Sequence, residues 1–102
     1  MSGNFGLSEE IVESLKSVFL LYEEIEKVVI YGSRAMGNYR EGSDIDITLI
    51  GDDLDWRELV ALENKLDDLM LPYELDISTF DELENPDLLE HINRVGKILF
   101  QR

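Results

Sequence analysis

Apolar residues recur at two different periods along this chain, and the switches between them mark its elements. From Leu7 to Lys27, the positions Ile11, Val12, Leu15, Val18, Phe19, Tyr22 and Ile25 keep the spacing of one helix face. Ser8 stands where an N-cap belongs and Leu7 where it would staple onto Val12, so the pattern predicts a helix over about residues 8–26. "KVVIYGS" is a β-branched run ended by glycine and predicts a buried first strand, Val28 to Tyr31. "DIDITLIG" alternates, with Ile45, Ile47 and Leu49 on one face, Asp44, Asp46 and Thr48 on the other, and Gly51 as its close. Helical spacing returns at Trp56, Leu59, Val60, Leu62, Leu66 and Leu69, between a capping Asp55 and Met70, with Pro72 ending the segment. "YELDIST" predicts a third strand, Leu75 and Ile77 facing away from Glu74, Asp76 and Ser78. Asn85 and Pro86 suit the cap and first position of a last helix, "PDLLEHINRV"; Gly96 stops it, and "KILF" adds a short extended tail.

This order predicts an α/β (α+β) fold: a small mixed sheet of at least three strands, helices packed on one face and an acidic face left open. With 102 residues and no repeat, linker or low-complexity tract, residues 1–102 are expected to form a single domain with one core. The absence of cysteine removes disulfides, thiolate nucleophiles and cysteine-ligated zinc. "MSGNFGLSEE" lacks the basic and apolar regions of a signal peptide, and no apolar run approaches the roughly 20 residues of a membrane helix. A soluble, cytoplasmic protein is expected, with no membrane partner. Nine basic against 23 acidic residues give a net charge of −14, which repels nucleic acid backbones. Arg34 and Arg40 are too sparse to form a duplex-binding groove, so a basic protein or a small anion brought in with divalent metal fits better.

The candidate chemistry lies in "IYGSRAMGNYREGSDIDITLI", residues 30–50. Side chains two apart on a strand share a face at roughly 6.5–7 Å, so Asp44 and Asp46 converge. Asp76 joins them if the third strand pairs beside the second. Three carboxylates so placed raise one another's pKa unless a cation intervenes. Hard divalent ions such as Mg²⁺ take oxygen ligands, and two ions about 4 Å apart are the usual arrangement for nucleotidyl transfer. Gly32 and Ser33, directly after the first strand, suit a turn that offers N–H groups and a hydroxyl to phosphate, and Arg34 would add a guanidinium. A P-loop fails because Asn38 and Tyr39 stand where its lysine and hydroxyl residue belong. An EF-hand beginning at Asp44 fails because Leu49 and Asp55 replace its glycine and glutamate.

What survives is Gly32-Ser33, ten residues, Asp44-x-Asp46, and a later strand acid at Asp76. In these residues the chain resembles the DNA polymerase β-like nucleotidyltransferase superfamily. The element order resembles its minimal nucleotidyltransferase (MNT) members over nearly the whole length. The resemblance implies that Asp44, Asp46 and Asp76 hold two Mg²⁺ ions, with Asp76 also helping to deprotonate the attacking hydroxyl. It implies that Gly32 and Ser33 hold the β- and γ-phosphates of ATP or another NTP. It implies a HEPN protein as partner, with this chain as the antitoxin, transferring AMP to a tyrosine of that partner. Two other readings stand beside it: a module that neutralises a HEPN ribonuclease by docking alone, and a subunit of a small-molecule nucleotidyltransferase. Homo- and hetero-oligomers are both compatible with the sequence.

Other residues receive plainer readings. Gly37 and Gly42 are read as turn glycines, and Trp56, Tyr22 and Phe19 as core or subunit contacts. Asp52, Asp53 and Asp55 are read as a solvated loop and helix start. His91, the only histidine, lies in the last helix and is not expected to act as a general base.

Overall fold

The β-branched and alternating runs do become strands, and a fourth strand joins them. A computed structural model describes residues 5–52 and 54–102; the first four residues of "MSGNFGLSEE" and Asp53 of the acidic run lie outside them. The order is α1 (Glu9–Phe19), β1 (Lys27–Tyr31), α2 (Gly32–Met36), β2 (Ile45–Ile50), α3 (Trp56–Asp67), β3 (Leu75–Thr79), a 3-10 turn (Phe80–Glu82), α4 (Pro86–Val95) and β4 (Lys97–Gln101). The sheet runs β3-β2-β1-β4. β1 is antiparallel to both β2 and β4, whereas β2 and β3 are parallel because α3 carries the chain back between them. The expected tail "KILF" is thus an edge strand that completes the sheet.

Val28, Ile30, Ile45, Ile47 and Leu49 are buried on one sheet face, against Val12, Leu15, Val18 and Phe19 of α1 and Leu62 and Leu66 of α3. Burying such side chains contributes about 1.5–3 kcal/mol each. Both helices begin as the sequence predicts. Ser8 accepts from the Ile11 N–H at 3.2 Å, and Asp55 with Glu58 forms a reciprocal capping box.

α1 ends at Phe19 rather than near residue 26. The chain then winds through tight turns, Leu21 N–H to Val18 O, Tyr22 N–H to Phe19 O and Ile25 N–H to Tyr22 O. These bring Tyr22 and Ile25 onto the core without a helix, which is why their spacing mimicked one. The Arg102 guanidinium ties these turns together, Nε donating to Ile25 O at 2.7 Å and Nη2 shared among Tyr22 O at 2.6 Å, Leu20 O at 3.1 Å and Phe19 O at 3.3 Å.

The expected layer of helices on one face holds for α1 and α3. α4 packs elsewhere, across the opposite face at β1. A Cβ on Gly96 would strike both Ile92 O and the Val29 side chain, and Val29 and Tyr31 point away from the Val28–Ile30 side. Asn85 caps α4 by accepting from the Asp87 and Leu88 N–H groups. The acidic face is therefore roofed by α4 at β1 and left open over Asp44 and Asp76. Among the described residues, no helix is long and apolar enough to cross a membrane.

Candidate active site

Three strands bring their polar residues into one row. In register, Tyr31 of β1 lies opposite Asp46 of β2, and Asp46 lies opposite Asp76 of β3. Neighbouring strands stand about 4.8 Å apart, so the two carboxylates are close like charges. Asp46 is half-buried, and its pKa is raised by that burial, then by Asp76 and Asp44. The Tyr31 hydroxyl is likewise pushed up, chiefly by burial and also by Asp76 and Asp46, against a lowering from Ser78. Thr48 continues the row, fully buried, its Oγ1 without a partner among the described residues. Asp44 lies exposed just before β2, two residues from Asp46.

The turn from β1 to α2 sits directly over this row. Gly32 has φ +74°, and a Cβ there would collide with the Asp46 carboxylate. Only glycine allows both the left-handed backbone and the close approach. Ser33 follows, half-exposed, and its carbonyl closes the short α2 by accepting from the Gly37 and Asn38 N–H groups.

Two residues behave differently from expectation. Arg34 does not face the phosphate side: it is 2% exposed. Its guanidinium donates twice to Ser43 O, from Nε at 3.1 Å and Nη2 at 2.9 Å, and once to Phe5 O at 2.9 Å. It also lies against the rings of Tyr39 and Tyr73, 5.2 and 4.6 Å from their centres. Arg34 is therefore a clamp across the ten-residue spacer, fixing Ser43, and hence Asp44, relative to Gly32. The Gly32 N–H is not open to solvent either, since it donates to His91 Nε2 of α4 at 3.2 Å. His91 also meets Tyr31 edge to face, ring centres 6.1 Å apart. Sequence reasoning missed Tyr31, Ser43 and His91 as site residues. The register of β1 against β2 could have found Tyr31; nothing local could have found His91.

The donors fit a hard divalent cation in kind. They are carboxylate oxygens, and the repulsion that raises the Asp46 pKa is what a cation would relieve. Among the described residues, no three Asp, Glu, His or Cys side chains are already gathered around a metal-sized space. The carboxylates line an open face instead.

Comparison with protein-family models matches residues 13–102 to the family described as polymerase beta, nucleotidyltransferase. Two proteins of Methanocaldococcus jannaschii that carry the provisional name protein adenylyltransferase are similar to this chain. MJ0604 is 38% identical over 76 residues, 74% of this chain and 70% of that one. MJ1217 is 32% identical over 79 residues, 76% and 80% of the two chains. Among solved structures, a toxin–antitoxin complex with AMP-PNP contains a chain similar at TM-score 0.70 and 23% identity, covering 94% of this chain and 75% of that one. A complex of tri-AMPylated Shewanella oneidensis HEPN toxin with MNT antitoxin gives TM-score 0.59 at 20% identity, covering 91% and 68%.

Proposed function

The chain belongs to the polymerase β nucleotidyltransferase family, and from that premise we propose that it is a minimal, ATP-using nucleotidyltransferase that transfers AMP to a tyrosine of a HEPN-type partner, acting as that protein's antitoxin. The observation that carries this reading is the register of Asp46 against Asp76 beneath the Gly32–Ser33 turn. It supports a site with carboxylates on one side and a phosphate-holding turn on the other. The relatives named as adenylyltransferases support AMP as the group transferred.

In the proposed reaction the acceptor oxygen attacks the α-phosphorus of ATP. A new P–O bond forms, the bond to the β-phosphate bridging oxygen breaks, and pyrophosphate leaves. Asp76, exposed at the open face, takes the acceptor's proton. Ser33 offers its hydroxyl to the β- and γ-phosphates, while Gly32 holds the turn close to Asp46. Mg²⁺ held by Asp44, Asp46 and Asp76 would neutralise the phosphates and the charge gathering on the leaving group.

The test is incubation of the protein with Mg²⁺, α-labelled ATP and a HEPN protein encoded beside it. Label on a partner tyrosine, lost in Asp44→Ala/Asp46→Ala, is the expected result. A partner that is bound and silenced without label would replace transfer by docking alone.

A further inference from the structure

We propose that His91 is a positioning residue for the nucleotide site, acting through the Gly32 N–H. This inference rests on the nucleotidyltransferase reading of that site. The hydrogen bond from Gly32 N–H to His91 Nε2 spans 59 positions of sequence and ties α4 to the β1–α2 turn at 3.2 Å. An Nε2 that accepts carries no proton, so the imidazole is the neutral tautomer protonated at Nδ1.

The ring is held from two sides. It sits edge-on to Tyr31, itself buried in the row with Asp46. α4 is pinned one turn later by the close packing of Gly96 on Val29. The bond therefore joins two well-fixed bodies and fixes the peptide plane between Tyr31 and Gly32. That plane sets where the next residue, Ser33, presents its N–H and hydroxyl. It also holds Gly32 over the Asp46 carboxylate, at a left-handed φ that a free glycine would leave readily. The consequence is a phosphate turn ordered before nucleotide arrives, so binding does not have to order it. The Gly32 N–H is then a strut, and the anion-facing donors begin at Ser33.

Titration of wild type, His91→Ala and His91→Gln with ATP and Mg²⁺ tests this, because a glutamine carbonyl oxygen can accept in place of Nε2. Affinity is expected to fall roughly tenfold in His91→Ala, the loss of one bond to a half-buried donor, and to return to within about twofold of wild type in His91→Gln. Unchanged or tighter binding in His91→Ala overturns the proposal, as does a glutamine variant that folds but binds as weakly as alanine. A measurement on the nucleotide-free wild type stands independently of both variants: a through-hydrogen-bond ¹⁵N–¹⁵N coupling between Gly32 N and His91 Nε2 is expected, and its absence sinks the idea. If the coupling is present but wild type binds no nucleotide, the nucleotidyltransferase reading fails and so does the role built on it.

Discussion

Asp46 is the residue where stability and chemistry conflict most directly. Burial and its acidic neighbours hold its folded-state pKa above the ordinary 3.8, so the folded protein keeps a proton that the unfolded chain releases. Its contribution is accordingly most favourable below pH 3.8, and stability is lost as pH rises from there through the folded-state pKa. Asp46→Asn removes that loss. Thermal melts of the variant and wild type should diverge towards neutral pH, the variant melting higher, and converge in acid. In the proposed reaction the same substitution should reduce AMP transfer about 100-fold or more, since it weakens the carboxylate side of the candidate site. That the candidate acids share one face was legible in the sequence because strand alternation alone sets which side chains lie together. The opposed pair of Asp46 and Asp76 needed only one further step, the parallel pairing of β2 with β3.

At the scale of elements, the spacer between the two anchors matters more than its composition suggests. Ten residues of turn-rich sequence would leave Asp44 and Ser33 loosely related, were Arg34 not bonded to Ser43 and Phe5 carbonyls. Lysine at this position keeps the charge but loses the planar fork. Arg34→Lys should therefore cost about 2 kcal/mol and lower the melting temperature by about 10 °C, measurable by calorimetry. This role was not legible because the acceptors are backbone carbonyls, which any sequence supplies. For the same reason the end of α1 was misplaced: apolar spacing continued through Tyr22 and Ile25, while the side chain that ties down the turns after the helix lies at Arg102. Arg102→Ala should lower the melting temperature by roughly 4–8 °C, for about 1 kcal/mol of lost hydrogen bonding.

Over the whole molecule, charge and connectivity set the conditions for folding. A net charge of −14 on 102 residues makes self-repulsion a standing cost that salt screens. The melting temperature should rise with added sodium chloride up to several hundred millimolar, and a fall over that range would contradict the prediction. The order of the sheet adds a constraint in time. β1 has β2 on one side, and on the other β4, formed by residues 97–101. A ribosome making this chain synthesises β1, β2 and β3 before β4 exists. During that interval the outer edge of "KVVIY" is a bare template of apolar, β-branched residues, the kind that recruits other chains. The growing chain therefore stays vulnerable until β4 pairs, with Glu24, Glu26 and Lys27 beside the exposed edge as its charged guards.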